Sequence, residues 1–261
     1  MKSGGNSTPS TSLSGRLALV TGGGRGIGAA TAAELLARGA RVFICARTAS
    51  EISATVARLG EAHGKDAIRG GAFDLADAAA IPAVFDEAER AFGGEKVRIL
   101  VNNAALGYAI PFLETAPEKL REEWDRMQAV NVRAPLLLSH ELMRRIPRGG
   151  ARDPRAGAIV NLGSLGGIRA TEKFPGLAPY VATKFAIAGL TEALAVEGRA
   201  LGVRVNAVAP GAVDTEMLRK AAPHLKTETR PMDVAKVIAY LCDAAESGSV
   251  SGTVIEIHSN L

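Results

Sequence analysis

Short runs of β-branched and aliphatic residues alternate along this chain with longer segments of helical character. The expected strands RLALVTG, RVFICAR, KVRILVNNA, GAIVNLGS and VRVNAVAPG contain apolar runs such as ILV and AIV without period-2 alternation, as strands covered on both faces of a sheet should. Helical stretches such as GIGAATAAELLARG and AIPAVFDEAERAFGG lie between them. Because this alternation is typical of βαβ units, we expect an α/β protein. Its single doubly wound domain should have a parallel seven-stranded sheet with helices on both faces.

The 261 residues suit one such domain, and neither a repeat nor a linker divides them. Residues 1–12 are rich in Ser, Thr and Gly, so we expect a disordered tail there and the catalytic domain over residues 13–261. The tail has no apolar core of the kind that a secretory signal carries. No stretch reaches the ~18 apolar residues that span a bilayer. We therefore expect a cytoplasmic protein with no membrane partner.

Charge and metal-ligand composition argue against two further classes of function. The net charge is +4, and the densest basic stretch, residues 144–155, is rich in Pro and Gly. We interpret it as a solvated loop and expect no nucleic-acid partner. The 4 histidines lack metal-ligand spacing, so no metal site is expected. Cys45 and Cys242 lie in apolar runs and are interpreted as buried thiols.

The stretch TGGGRGIG follows the first expected strand and opens the first expected helix. Gly22, Gly26 and Gly28 allow a tight turn and a close approach of backbone N–H groups to a pyrophosphate, which a helix N-terminus favours. Arg25 and Ile27 lie in the same loop. Glycine-rich loops are common, so it is the strand before and the helix after that indicate a dinucleotide site in a Rossmann domain.

The end of the second expected strand bears on the choice of cofactor. Dinucleotide folds that prefer NAD place Asp or Glu there, on the ribose 2′-OH. This chain has CARTAS instead, with Arg47 and no acid before Glu51. A guanidinium suits a 2′-phosphate, and Arg25 could reach the same group. The two arginines together predict NADP(H), while the alternative for each is a solvated surface residue.

Four residues form the candidate chemical site. Tyr180 and Lys184 are one helical turn apart, so they share a helix face and the lysine cation would lower the tyrosine pKa. Ser164 ends the fifth expected strand, where ligands bind in doubly wound folds; a turn residue is the alternative. Asn131 interrupts a helical pattern, which indicates a kink or a buried water site, with a plain surface residue as the alternative.

From about residue 13 onward the chain resembles the classical short-chain dehydrogenase/reductase family, including its 3-oxoacyl-(acyl-carrier-protein) reductases and small-ketone reductases. The matching motifs, in chain order, are TGGGRGIG, Asp74 in AFDLAD, NNAA from Asn102, Asn131, Ser164, YVATK and PGAVDTEM from Pro210. The resemblance implies hydride transfer between nicotinamide C4 of NADP(H) and a small-molecule carbonyl or secondary alcohol. The expected preference for NADP(H) favours the direction of ketone reduction. The resemblance also implies a homotetramer, with a homodimer as the alternative, assembled through the helices around residues 124–145 and 180–200.

The resemblance assigns a role to each catalytic position. Tyr180 would exchange the proton with the carbonyl oxygen, and Lys184 would bind the nicotinamide ribose and lower the tyrosine pKa. Ser164 would orient the substrate, and Asn131 would hold a water in a proton relay. The implied cofactor contacts are Gly22, Arg25, Gly26, Ile27, Gly28 and Arg47, Asp74 and Leu75 at adenine, Asn102 and Ala104 along the cleft, Tyr180 and Lys184, then Pro210, Gly211, and Val213 and Thr215 at the carboxamide.

Three stretches depart from the family pattern. Residues 165–179, between Ser164 and Tyr180, are longer than usual and are expected to sit over the substrate. The segment after Thr215 is short for a substrate lid. The chain ends in HSNL rather than an acidic-Gly-Gly tail, and we interpret His258 as a plain chain end, with a subunit interface as the alternative.

One function from another class fits the same fold. A dinucleotide-sensing or scaffold protein can keep the fold and lose turnover, since fold alone does not imply function. The intact set of Asn131, Ser164, Tyr180 and Lys184 favours the enzyme, and a Tyr180→Phe variant distinguishes the two.

Overall fold

A computed structural model describes residues 12–146, 156–221 and 224–259. Its centre is a sheet of seven parallel strands in the order β3-β2-β1-β4-β5-β6-β7, which confirms the expected architecture. The strands are β1 Leu17–Thr21, β2 Arg41–Ala46, β3 Ile68–Ala72, β4 Val97–Asn102, β5 Gly157–Leu162, β6 Val203–Pro210 and β7 Val254–Ile257.

Helices cover both faces of the sheet. They are α1 Gly26–Ala37, α2 Ala49–His63, α3 Ala80–Ala91, α4 Pro117–Gln128, α5 Ala134–Arg145, α6 Ala178–Gly198, α7 Glu216–Ala221, α8 Pro231–Cys242 and α9 Ala244–Ser247. A π-helical segment, Ala129–Arg133, joins α4 to α5 into one continuous helix, and 3-10 turns occupy Leu165–Gly167 and Arg199–Leu201.

The continuous apolar runs are explained by two hydrophobic cores, one on each side of the sheet. Successive strand residues point to opposite faces, so Val20 and Ile44 join the core under α1 and α8, whereas Leu19 and Phe43 join the core under α3 and α5. All four side chains are at most 1% exposed. A strand buried on both sides needs an apolar residue at every position.

The short elements are where the sequence-based expectation was incomplete. The helices α7 and α9, of 6 and 4 residues, were not expected. Most of the basic stretch interpreted as a solvated loop, and residues 1–11 of the expected tail, lie outside the described residues. Leu13, at the start of the expected domain, is 3% exposed and belongs to the core.

Three other expectations concern cysteines, metals and membranes. Cys45 and Cys242 are free and buried, and burial raises the pKa of each thiol to about 12. Within the part of the chain that the structure describes, no group of three or more His, Cys, Asp or Glu residues is arranged to hold a metal ion. The helices described there are all too short or too polar to cross a membrane.

The strand order fixes where a ligand can bind. Because β1 lies between β2 and β4, the connections that leave β1 and β4 run to opposite sides of the sheet. A crevice opens between their carboxyl ends, which is the usual ligand site in this architecture. The glycine loop after β1 and the segment after β4 both meet this crevice.

Candidate active site

The glycine loop is built for a close approach of backbone to ligand. Gly22 and Gly26 have φ values of +65° and +55°, which side-chain-bearing residues adopt only at a cost. A Cβ on Gly28 would lie 2.3 Å from the Gly22 carbonyl oxygen, so only glycine lets α1 pack against the turn.

The start of α1 fits an anionic pyrophosphate. Its N-cap, Arg25, makes no side-chain cap, and the first turn contains no acid, so its backbone N–H groups and positive dipole end are available. Across the cleft, the Thr215 methyl carbon lies 3.6 Å from the position of a Cβ on Gly26. Ile27 packs against the core under α1. The residues present therefore fit the dinucleotide that the sequence predicts.

A polar cluster joins the glycine loop to the segment after β4. The Asn103 side chain donates to the carbonyls of Thr21 and Gly22, at 2.8 and 3.1 Å. The Thr21 hydroxyl accepts from the backbone N–H of Asn103 and of Ala104, both at 3.0 Å. Ala104 is thus held at the cleft, and Thr21 and Asn103 are positioning residues that the sequence analysis missed.

Asn102 differs from expectation. Its side chain is 4% exposed and donates to Asn161 Oδ1 at 2.8 Å and to Ser139 Oγ at 3.3 Å. It therefore ties β4 to β5 and α5 beneath the site instead of lining the cleft.

The two arginines that predict NADP(H) lie in different environments. Arg25 is paired with Glu216 of α7 and, at 3.5 Å, with Glu51 of α2. Arg47 is exposed, directly after β2, and among the described residues it forms no hydrogen bond or ion pair. Arg47 is thus the available cation of the two, while Arg25 already has carboxylate partners.

The remaining positions expected to contact the cofactor differ in their exposure and in their hydrogen bonds. Asp74 is exposed and its Oδ1 accepts from the Ala76 N–H at 3.0 Å, whereas the Leu75 side chain is buried in the core under α3. Pro210 ends β6, and the Gly211 N–H donates to the Ile257 carbonyl at 2.9 Å. Val213 is 5% exposed, so its side chain serves the core.

Tyr180, Ser164 and Lys184 converge at the carboxyl edge of the sheet. Tyr180 and Lys184 share one face of α6, with the lysine Nζ 5.6 Å from the centre of the tyrosine ring. Lys184 is 3% exposed, and its Nζ donates to the Leu162 carbonyl at 2.7 Å. The Ser164 side chain lies close enough to the Tyr180 hydroxyl to affect its pKa. The structure thus brings together three of the four expected catalytic residues.

Burial controls the protonation of this group. Desolvation raises the pKa of Tyr180, and the nearby Ser164 side chain partly offsets that rise. The direction is opposite to the lowering that we expected from Lys184. Desolvation also lowers the pKa of Lys184 to about 8, because its nearest partner is a neutral carbonyl.

Asn131, the fourth residue, is the middle of the π-helical segment. It is 1% exposed, so it is not a surface residue, and the irregular helix agrees with the expected disturbance. Its amide accepts from the Leu106 N–H and donates to the Leu106 carbonyl, both at 2.8 Å, and donates to Thr183 Oγ1 at 3.1 Å. Asn131 therefore fixes the segment after β4 against α6.

A 3-10 turn, Leu165–Gly167, follows Ser164 and packs against α6 at Lys184. The Ser164 Oγ caps the turn by accepting from the Gly166 N–H at 3.1 Å. At the other end of the turn, a Cβ on Gly167 would lie 2.5 Å from the carbonyl carbon of Lys184. The backbone of the turn thus packs directly against α6 at Lys184, a contact that no sequence motif revealed.

The wall of the cleft is the segment 103–111, which is attached at several points. Tyr108 donates to Glu123 of α4, and Ile110 N–H donates to the Gly176 carbonyl at 2.9 Å. A Cβ on Gly107 would lie 3.1 Å from both Tyr180 Cε2 and Met217 Sδ. Residues 165–179 therefore contact this wall through Gly176.

The short segment after Thr215 forms α7, which carries Met217 to this wall and Glu216 to Arg25. At the chain end, Ser259 Oγ donates to the Ala212 carbonyl. His258 is exposed, and its Nε2 lies 3.1 Å from Glu256 Oε2. Asn260 and Leu261 lie outside the described residues.

Comparison with known proteins places this geometry in a family. Residues 16–226 match the family model of the short chain dehydrogenases. The 3-oxoacyl-(acyl-carrier-protein) reductase FabG of Vibrio cholerae is 32% identical over 95% of this chain and 98% of its own. A D-threitol dehydrogenase of Mycolicibacterium smegmatis is 36% identical over 80% of this chain and 74% of its own.

Solved structures agree with the sequence relatives. A short chain dehydrogenase from Burkholderia cenocepacia in complex with NADP is 35% identical and has a TM-score of 0.80, over 94% of this chain and 97% of its own. A 3-ketoacyl-(acyl-carrier-protein) reductase from Brucella melitensis complexed with NADH has a TM-score of 0.80 at 30% identity, over 94% and 98%. The chain therefore belongs to the short-chain dehydrogenase/reductase family of oxidoreductases.

Proposed function

We propose that this protein is an NADP(H)-dependent ketone reductase that acts on a small-molecule carbonyl compound, with Tyr180 as the general acid. The observation that carries the proposal is that Ser164, Tyr180 and buried Lys184 lie together at the carboxyl edge of the sheet, the edge that also carries the glycine loop. When bound, a reduced nicotinamide supplies a hydride from its C4. This chain must orient the carbonyl and deliver a proton to its oxygen.

The protonation states support the direction of reduction. The raised pKa of Tyr180 keeps its hydroxyl protonated at neutral pH, which is the form that a general acid needs. Ser164, beside Tyr180, offers a second hydroxyl to the carbonyl oxygen. Lys184, with a pKa of about 8, is mostly a cation at pH 7, and it can bind a ribose hydroxyl and stabilise negative charge on the phenol oxygen as the proton leaves.

Asn131 acts in this scheme as a positioning residue. Its Oδ1 accepts from the Leu106 N–H, its Nδ2 donates to the Leu106 carbonyl, and its Nδ2 also donates to Thr183 Oγ1 on α6. It therefore holds the cleft wall in register with the helix that carries Tyr180 and Lys184. A water relay through Asn131 remains part of the proposal, supported by the family resemblance.

The decisive test of the reaction is Tyr180→Phe. NADPH oxidation is followed across a panel of β-ketoacyl thioesters, diketones, quinones, cyclic ketones and steroids. Loss of a positioned general acid should lower turnover by about 10²–10⁴-fold, while NADPH binding, measured by fluorescence, persists. Unchanged turnover in Tyr180→Phe would refute the proposed mechanism. Tight NADPH binding with no turnover of any compound would favour the sensing or scaffold protein.

The choice of NADP(H) is supported by Arg47, an exposed cation after β2 with no partner among the described residues. A 2′-phosphate there would accept charge-assisted hydrogen bonds that NADH cannot make. Arg25 is bound to Glu51 and Glu216, so we propose that Arg47 makes the larger contribution to selectivity and Arg25 the smaller one.

Replacing Arg47 tests the cofactor preference. Arg47→Asp should weaken NADPH binding by about 10–100-fold, the loss expected for hydrogen bonds to a charged group, and should change NADH binding much less. Arg58→Asp, the same charge change at an exposed position further along α2, is the matched control. Equal losses for NADPH and NADH in Arg47→Asp would remove Arg47 from the 2′-phosphate site.

Assembly and location complete the proposal. Exposed apolar side chains lie on the outer faces of α5 and α6, at Leu136, Phe185 and Val196, which are 42%, 38% and 63% exposed. We propose that these faces meet in a homotetramer, and that the protein works in the cytoplasm.

A further inference from the structure

Large apolar side chains are exposed in two regions of the surface. Across the described part of the chain there are seven of them, and three lie on the outer faces of α5 and α6. The other four are Phe112, Leu113, Phe174 and Met217, which are 53%, 90%, 43% and 41% exposed. Exposed apolar side chains that cluster indicate a binding surface, whereas scattered ones need no explanation. The positions of these four relative to one another therefore decide what they mean.

Two of the segments that carry them are joined by a hydrogen bond. The Ile110 N–H donates to the Gly176 carbonyl at 2.9 Å, and a Cβ on Gly176 would lie 3.2 Å from Ala109 Cβ. Phe112 comes two residues after Ile110, and Phe174 comes two residues before Gly176. Each phenylalanine Cα is therefore within about 7 Å of this junction. The two side chains flank the point where the loop after β4 meets the loop before α6.

This junction lies beside Tyr180. The loop before α6 leads directly into that helix, whose third residue is Tyr180. On the loop after β4, a Cβ on Gly107 would lie 3.1 Å from both Tyr180 Cε2 and Met217 Sδ. Met217, carried by α7, is thus held against the same glycine as the tyrosine ring. The four exposed side chains therefore form an apolar rim next to the proposed general acid.

Polar side chains that precede Phe174 are turned to their own loop. The Lys173 Nζ donates to the carbonyls of Ile168 and Thr171, both at 2.8 Å, and lies 5.6 Å from the centre of the Phe185 ring on α6. The Thr171 hydroxyl donates to the Ile168 carbonyl at 3.0 Å. A substrate rich in hydroxyl groups would lose water at the rim without gaining these partners, which is costly. An apolar group requires only contact area.

We propose that the apolar rim selects a carbonyl compound that carries an extended apolar group, such as an alkyl chain of several carbons, over a polyhydroxylated one. This inference rests on the proposed reductase activity, since the carbonyl must lie at Ser164 and Tyr180. The chain beyond the carbonyl would then lie along Met217, Phe112 and Phe174 and would be removed from water. Aromatic and thioether side chains suit this task because they offer apolar area to chains of different shape.

A series of methyl ketones tests the rim. We would measure kcat/KM for NADPH-dependent reduction of butanone, hexan-2-one and octan-2-one, and of 1,3,4-trihydroxybutan-2-one, which has the carbon skeleton of butanone. Each methylene that leaves water should raise kcat/KM about threefold, so octan-2-one should exceed butanone by about a hundredfold. The trihydroxy compound should be the poorest of the four. No gain with chain length, or a preference for the trihydroxy compound, would overturn the inference.

Variants assign the gain to the rim. Phe174→Ser and Phe112→Ser should each lower the ratio of kcat/KM for octan-2-one to that for butanone by about tenfold, because apolar contact area is lost. Val196→Ser, at an exposed apolar position in the second half of α6, is the matched control and should keep the full ratio. An unchanged ratio in both phenylalanine variants would overturn the inference. So would an equal loss for both ketones together with a changed oligomeric state in analytical ultracentrifugation, which would assign the rim to a subunit contact.

A binding measurement distinguishes failure of this inference from failure of the proposed function. If the wild type reduces none of the ketones, the reductase proposal fails, and ligand-observed NMR titrations of the protein with oxidised NADP follow binding alone. Octan-2-one should still bind more tightly than butanone, and Phe174→Ser should reduce that advantage. Equal binding of the two ketones to the wild type would overturn the inference, whatever the turnover.

Discussion

Gly167 offers a sharp test of how Lys184, the proposed catalytic lysine, is positioned. The glycine belongs to the 3-10 turn that follows Ser164, and a Cβ added to it would lie 2.5 Å from Lys184 C, 2.6 Å from Lys184 O and 2.8 Å from Lys184 Cβ. These atoms are mostly backbone of a long helix, so they cannot rotate away. Either the turn or α6 must move to accept Gly167→Ala.

The required movement can be estimated from contact distances. Carbon atoms pack at about 3.5–4.0 Å, so the turn and Lys184 must separate by about 1 Å in Gly167→Ala. Overpacking of this kind costs about 1–3 kcal/mol of stability, which a domain of this size can tolerate. A displacement of about 1 Å at a catalytic group can lower the rate by about 10²-fold. We therefore expect a folded protein with kcat reduced by about two orders of magnitude.

The neighbouring glycine supplies the control. A Cβ on Gly166 would lie 3.5 Å from Ser164 Oγ and 3.6 Å from Val181 Cγ2, which is ordinary contact, so Gly166→Ala should retain most activity. Both variants are compared with the wild type by steady-state NADPH oxidation with the best carbonyl substrate, alongside circular dichroism and thermal melting. If Gly167→Ala is as active as the wild type, or both variants lose activity equally, the positioning argument is wrong.

Two further predictions concern stability. Between pH 8 and 10.5 the unfolded chain still protonates Lys184 while the folded protein does not, so stability rises with pH there. In urea titrations, the free energy of unfolding of the wild type relative to Lys184→Met should increase by up to about 3 kcal/mol across this range; parallel pH profiles would contradict this. Ala170 has a φ of +61°, so Ala170→Gly should raise stability by about 0.5–1 kcal/mol, and a lower urea midpoint would refute the expected relief of strain.

The topology was predictable because it depends on local patterns. Each strand and each long helix has its own hydrophobic periodicity, and their alternation allows essentially one parallel arrangement. Tyr180 and Lys184 could be placed together for the same reason, since one helical turn separates them. The start of α4 shows the limit: the spacing of Thr115 and Glu118 fits a capping box, yet α4 begins at Pro117 with Ala116 as its N-cap, so Thr115 lies outside the helix.

The missed residues depend on contacts between distant parts of the chain. Asn102 and Asn103 are adjacent and identical in type, yet the Asn102 side chain donates to Asn161 on β5, while the Asn103 side chain donates to the glycine loop about 80 positions earlier in the chain. Gly166 and Gly167 are likewise indistinguishable until α6 is packed against them. In the sequence, Glu51 is only the first acid after Arg47. Its pairing with Arg25 cannot be predicted until α2 is in place.

The attachments of segment 103–111 have a consequence for the timing of ligand binding. Asn103, Leu106, Tyr108 and Ile110 are each hydrogen-bonded to a different part of the fold. Their conformational entropy is therefore lost when the chain folds, and little of it is left to lose when a substrate arrives. A substrate should meet a preorganised surface and associate in one kinetic phase, without a slow ordering step of this segment.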